Sequence, residues 1–208
     1  MIVLQVVVAF AAGAFWWFLF EYLLHRFAFH DMKGKGVGSR EHLNHHVRAS
    51  WTFDAMILFA WFGVVLTGFG WGWLAVDLVG RAGGITFGAA WVVAYFFYEW
   101  HHRAAHLRAP RNQWERWLRF HHFHHHFGHP LSNQGVTISL WDHVFRTNQA
   151  PDKVRVPRRL VMPWLIDSDG NVLPEYADDY ELVGTAGTDE RQAGIDHARA
   201  YANLVPIP

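Results

Sequence analysis

The stretch Trp117–Pro130 reads WLRFHHFHHHFGHP, with six histidines in fourteen residues. A neutral imidazole is a common protein ligand for transition metals, and a protonated one is an acid that titrates near neutrality. An expression tag sits at a terminus, and this run is internal. A low-complexity metal-buffering tract lacks structured surroundings. Which chemistry applies depends on the other ten of the 16 histidines.

Most of them form three further clusters. His25 and His30 lie in HRFAFH, His42, His45 and His46 in HLNHH, and His102 and His106 in HRAAH. Residues three or four apart share a helix face, so His102 faces with His106, His42 with His45 and His46, and His122 with His125 and His126. His121, His124 and His125 fit the same spacing one residue earlier; the later frame is preferred because the downstream FGH then aligns. His25 and His30 are five apart, about 140° on an α-helix. One of them is expected to reach in from a frayed end or a bend. Crowded cationic imidazoles repel and crowded neutral ones need partners; a metal answers both problems. Imidazole suits zinc, copper, iron and nickel. Ten such side chains exceed one ion and suit two ions with about five each, whereas a structural zinc closes with four ligands. An open position on iron permits O2 chemistry.

The rest of the chain must bring these clusters together. It has 208 residues, 51% hydrophobic and 17% aromatic, with 12 Trp and 17 Phe and only 17% charged. That balance indicates a membrane protein. A formal net charge of zero gives no nucleic-acid signature. The absence of cysteine excludes disulfides, thiolate metal sites and a thiol nucleophile. Three apolar runs stand out: Ile2–Phe20, Ala55–Val76 and Ile85–Tyr98. The first would reach roughly 28 Å as a helix, one bilayer core. Trp16, Trp17 and Glu21 end it where a signal peptide would carry a small-residue cleavage site. Asp77, Arg81, Gly83 and Gly84 read as a short turn between the second and third runs, and the glycines of GFGWGW (Gly68–Trp73) are expected to bend or shorten the second. Trp51, Trp71, Trp73, Trp91 and Trp100 sit near run ends, as interfacial aromatics do.

Five Lys/Arg lie between the first two runs, one between the second and third, and twelve after the third. The positive-inside tendency then puts the N-terminus outside and all four His clusters on the cytoplasmic side. After Pro151 the composition turns polar, with prolines and more than half of the acidic residues. The expected fold is an all-α integral membrane protein. It has about three transmembrane helices, a cytoplasmic helical His-rich cap, and a polar, loop-rich C-terminal tail with one short helix near Asp189–Ala202. Residues 1–150 would form the membrane-embedded domain, and residues 151–208 the tail, packed on the cytoplasmic side.

The motifs EYLLHRFAFH, HLNHH, YEWHHRAAHLRAP, HHFHHHFGH and GVTISLWDHVF, in this order from Glu21 to Thr147, resemble the fatty acid hydroxylase / sterol desaturase superfamily of membrane non-haem diiron enzymes. The pattern is most similar to the fatty acid 2-hydroxylase branch. The resemblance implies that His25, His30, His42, His45, His46, His102, His106, His122, His125 and His126 bind two Fe ions, with Zn able to replace iron in purified protein. It leaves His101, His121, His124, His129 and His143 behind the ligands or incidental to them, and His197 in the tail. Asp142 is expected either to orient a ligand imidazole by accepting its other N–H or to serve as a cap or surface turn. It also implies O2 as co-substrate, a lipid acyl chain as substrate and a hydroxylase activity on an unactivated C–H bond. A fused haem-cytochrome domain, frequent among eukaryotic members, has no counterpart in these residues, so electrons are expected from a separate partner. The His30–His42 connection is shorter than is typical of that branch.

Within the class, the alternatives are desaturation, or hydroxylation of a sterol or carotenoid ring. The His-x3-His spacing at His102 and His106 is shorter than carotenoid ring hydroxylases usually show. Outside it, a bis-His membrane cytochrome would place histidines inside the spans. A metal transporter would put ionisable residues at mid-membrane depth, and the apolar runs contain none.

Overall fold

The computed structural model describes residues 2–53 and 55–208. The chain forms two compact units: the residues up to Glu21 with Thr52–Trp100, and Tyr22–Trp51 with His101–Pro208.

The first unit is built from helix α1 (Ile2–Leu23) and most of helix α3 (Ala55–Leu107). Among the described residues, two helices are long and apolar enough to cross a membrane, Ile2–His30, which begins with α1, and α3. A straight 53-residue helix would run about 80 Å, far beyond a bilayer core of about 30 Å. α3 breaks at Gly80, whose φ of 69° and ψ of 171° are open to glycine and costly for other residues. Its two arms, residues 55–79 and 81–107, then pack together along glycines. A side chain on Gly72 would stand 2.9 Å from the Gly84 carbonyl oxygen, and one on Gly88 would stand 3.1 Å from the Gly72 Cα. Gly68 and Gly72 on one arm thus face Gly84 and Gly88 on the other, a pair of GxxxG stripes in mutual contact. The glycines of GFGWGW neither bend nor shorten the helix, because the reversal occurs at Gly80; Gly68 and Gly72 form the packing seam, and Gly70 faces away from it.

Helix α1 joins the hairpin through Gly13, where a side chain would collide with Phe87 and Ala90. Next to it, Trp17 packs edge-on against Trp91 at 5.1 Å and Tyr95 at 5.0 Å, and Trp16 against Trp71 at 5.6 Å. Outward, Val3, Val7, Phe59, Phe62, Phe69, Trp73 and Leu78 are exposed. An apolar surface of this extent suits lipid rather than water.

The second unit carries the histidines. The chain leaves α1 through a π-helical segment, Leu24–His30, and continues into α2 (Val37–Arg48). The end of α3 is followed by α4 (Gln113–Phe127) and the short α5 (Leu140–Val144). The Asn112 side chain caps α4 by accepting from Glu115 N at 2.8 Å. The tail is more ordered than its composition suggests. β1 (Val154–Pro157) pairs in parallel with β2 (Tyr180–Val183), Val154 opposite Tyr180. The fold is therefore mostly helical rather than all-α. The anticipated terminal helix is α6 (Glu190–Tyr201), with Asp189 and Ala202 as its caps.

Candidate metal centre

Each cluster owes its orientation to local helical geometry. On α2, His42 and His46 lie one turn apart, while His45 points about 100° away from its neighbour. α4 repeats this in mirror image, with His122 and His126 one turn apart and His125 turned away. His102 and His106 share a face at the end of α3. The five-residue spacing of His25 and His30 is resolved by neither fraying nor a bend. The segment is π-helical, with Asp31 N donating to Arg26 O five residues back at 3.0 Å, so residues five apart come to lie above one another. The two rings stand 5.2 Å apart.

These elements gather the ten histidines into two groups of five, His25, His30, His42, His46 and His125 in one, and His45, His102, His106, His122 and His126 in the other. Within each group the ligand nitrogens all lie within 4.8 Å of one another. In the first group the Nε2 atoms of His30, His42, His46 and His125 close a ring with edges of 2.9, 3.1, 3.0 and 3.1 Å. His25 Nε2 lies 3.0 Å from His42. In the second group, His102 and His45 approach to 3.1 Å, and His106 and His122 to 3.0 Å. Imidazole nitrogens set at right angles about 2.1 Å from a metal ion would stand about 3.0 Å apart.

The outer nitrogens determine what the inner ones can be. His125 Nδ1 donates to Ser132 O at 2.8 Å, His25 Nδ1 to Gln134 O at 2.5 Å, His45 Nδ1 to Ser50 O at 3.0 Å and His106 Nδ1 to Ala49 O at 2.9 Å. A carbonyl oxygen only accepts, so the proton sits on Nδ1 in each. His30 Nδ1 meets Asn203 Oδ1 at 3.0 Å, and the amide orientation is fixed because Asn203 Nδ2 donates to His30 O at 3.2 Å. In their neutral forms, His30 and His125 therefore present bare lone pairs to each other across 3.1 Å. Two lone pairs cannot bond; a cation between them accepts both. His126 is buried with neither ring nitrogen in a hydrogen bond, and His122 Nδ1 is likewise unpaired. The donor set fits metal ions, and backbone carbonyls on the far nitrogens are the usual support for such ligands.

Burial also keeps the imidazoles neutral. It pushes His42, His46, His122, His125 and His126 well below the ordinary range, with neighbouring imidazoles adding to the effect. His45 falls to about 4, again chiefly through burial.

The remaining candidates lie outside both groups. His121 Nε2 stands 3.4 Å from Asp142 Oδ2, and His124 Nε2 is 3.0 Å from Gln149 Oε1, so the later of the two α4 frames is the one whose nitrogens converge. His129 and His143 are exposed, as is His197, which stacks on Tyr201 at 4.2 Å. His101 packs edge-on to Trp114 at 4.7 Å, with Nδ1 3.9 Å from Glu115. Asp142 is fully buried and is neither a surface turn nor a direct acceptor from any of the ten. It accepts from Gln134 N at 2.7 Å, Gly135 N at 2.8 Å and the Thr147 hydroxyl at 2.7 Å. Its link to the site is indirect, through the Gln134 peptide whose carbonyl holds His25.

Two residues escaped the sequence reading. Asn203 lies far along the chain in the tail. Arg119 is buried on α4 and donates to the carbonyls of Ala104 at 3.0 Å, Arg108 at 3.1 Å and Glu115 at 2.9 Å, which clamps the end of α3 onto α4. Two arginines three residues apart in a histidine-rich helix, Arg116 and Arg119, gave no pattern that could reveal which of them is buried.

The fatty acid hydroxylase family model matches residues 10–147 of the chain. A fatty acid 2-hydroxylase of Macaca fascicularis is 32% identical over 146 residues, covering 66% of this chain and 38% of that protein. The Homo sapiens fatty acid 2-hydroxylase is 30% identical with the same coverage. The match thus spans 38% of the length of these curated relatives. Among solved structures, full-length scs7p, with only its hydroxylase domain visible, has a similar fold, with a TM-score of 0.50 and 24% identity over 73% of this chain and 63% of that one. All five His-bearing motifs fall within the matched region, and the chain belongs to the fatty acid hydroxylase family.

Proposed function

We propose that this protein is an integral-membrane, dimetal lipid hydroxylase that introduces oxygen at an unactivated C–H bond of a fatty acyl chain. The observation that supports it best is the pair of five-imidazole groups whose ring nitrogens converge to within 4.8 Å of one another. His25, His30, His42, His46 and His125 would hold one ion, and His45, His102, His106, His122 and His126 the other. Iron is the metal we assign, with zinc as an adventitious substitute during purification. Two irons so held supply the redox chemistry that activates O2, with electrons from a separate donor protein. The chain's own contribution is positional. Carbonyls of Ala49, Ser50, Ser132 and Gln134 hold the outer N–H groups and keep the inner nitrogens unprotonated. Burial excludes the water that would otherwise solvate protonated imidazoles.

In this reading α1 and the two arms of α3 make three membrane crossings, with the N-terminus outside and both His groups on the cytoplasmic side. Since cysteine is absent, single cysteines at Gly36 and Arg111 can be labelled without background. Labelling of the two from opposite sides would refute the topology. For the activity, the test is lipid mass spectrometry of cells with and without the protein. A gain of one oxygen in an acyl chain supports hydroxylation. A loss of two hydrogens would make it a desaturase, and an unchanged acyl pool with an oxidised sterol or carotenoid would replace the substrate class.

A further inference from the structure

The family match ends at Thr147, yet one of the most constrained contacts of the His groups comes from well beyond it. Asn203 follows α6 and grips His30 with both ends of its amide. Oδ1 accepts from His30 Nδ1 at 3.0 Å and Nδ2 donates to His30 O at 3.2 Å. A ring held at its outer nitrogen and at its own backbone can neither flip nor change tautomer. Among the ten histidines, the other outer-nitrogen contacts described above run to backbone carbonyls; this one runs to a side chain.

The tail is built to hold that amide in place. Asn203 itself adopts a left-handed conformation, φ 56°, that asparagine tolerates better than most residues. Its N–H caps the end of α6 on Ala200 O at 3.0 Å. α6 is tied to α2 by the Tyr201 hydroxyl donating to Asn44 Oδ1 at 3.2 Å. It is tied within the tail by a buried two-pronged pair, with Arg159 donating to both oxygens of Asp196 at 2.8 and 2.6 Å. Ala200 and Leu204 line a small cavity together with His30, His46 and His126.

We infer that Asn203 is a positioning residue of the first metal site, fixing the tautomer and orientation of His30, and that the C-terminal segment is therefore part of the metal centre. The inference rests on the proposed function, since it assumes that His30 is a ligand. The bland alternative is that Asn203 is only a helix C-cap. The two readings order the variants oppositely. Glycine suits a left-handed cap at least as well as asparagine, so Asn203→Gly removes the grip and spares the turn. Asn203→Asp keeps an acceptor for His30 Nδ1.

The test loads full-length wild type, Asn203→Gly and Asn203→Asp with zinc, which is redox-inert, and follows metal loss into a chelator. It also records the melting temperature of each metal-free protein. The inference expects one of two zinc ions to leave Asn203→Gly roughly 10-fold faster or more. It expects Asn203→Asp to restore most of the retention and the metal-free melting temperatures to agree. Unchanged zinc loss in Asn203→Gly overturns the inference and leaves the proposed function standing. So does faster loss matched by a lower metal-free melting temperature. A wild-type protein that takes up no zinc or iron overturns both.

Discussion

His46 and His126 stack 4.2 Å apart with their rings 19° from parallel, yet each belongs to a different group of five. The boundary between the two candidate sites therefore runs between these two rings. If the groups hold separate ions, His46→Ala and His126→Ala should each speed the release of one ion into a chelator, and the double variant both. Metal analysis against time decides it. Single variants that each behave like the double one would mean a single shared ion.

Adjacent histidines on α3 should behave differently. His102 Nε2 lies 3.1 Å from His45 Nε2, whereas His101 faces Trp114 and Glu115. His102→Ala is expected to loosen metal and abolish product formation. His101→Ala should keep both metals and lose ~10–100-fold activity at most. Equal losses in the two variants would refute this assignment.

Arg119 supports the second group at a distance. Arg119→Ala releases the carbonyls of Ala104 and Arg108, the first of which keeps the Arg108 N–H, and takes one cation from Glu115, which keeps Arg108; the change is expected to cost roughly 1–3 kcal/mol. Chemical unfolding measures that cost. Because those carbonyls end the helix carrying His102 and His106, metal should be lost from the second group before the first. Equal loss from both would contradict the local role.

Glu115 gives a pH signature. Arg108 beside it, joined by the Arg111 N–H and by Arg119, holds its carboxyl down to about 2 from an ordinary 4.5. The folded value lies below the unfolded one, so the stabilisation is complete above pH 4.5 and fades as pH falls toward about 2. Glu115→Gln should therefore melt lower than wild type near neutrality, with the gap narrowing through that acidic window. A gap independent of pH would show that packing, and not the charge, accounts for the effect.

Much of the candidate site was legible because the spacing that metal ligation would require is a helical one. The pairs His42/His46, His102/His106 and His122/His126 declare themselves as one-turn repeats on helices. How α2 and α4 divide their histidines was not legible, because sharing a face broadly does not say which neighbour each ring meets. The His25–His30 interval looked anomalous only against α-helical geometry, and a π-turn has no composition signal. Asn203 and Arg119 act through hydrogen bonds to atoms distant in sequence, which periodicity cannot reveal. In the fold, hydropathy marked the apolar runs, but the glycines of 68–72 read as a bend or a shortening and Gly84 as part of a turn, because a seam shows only once the two arms are side by side. The tail's two strands are four residues each and paired in parallel, too short to alternate clearly.

The mirrored contribution of α2 and α4 bears on how the centre assembles. α2 gives two histidines to the first group and one to the second, and α4 gives one and two. Each of these helices is thus shared by both groups, so an ion held in either would brace both helices and favour entry of a second. Stepwise titration of metal-free wild type should accordingly show the second ion binding more tightly than the first. Native mass spectrometry would show this as a singly loaded species below its statistical share, and a statistical share would mean that the pockets load as strangers.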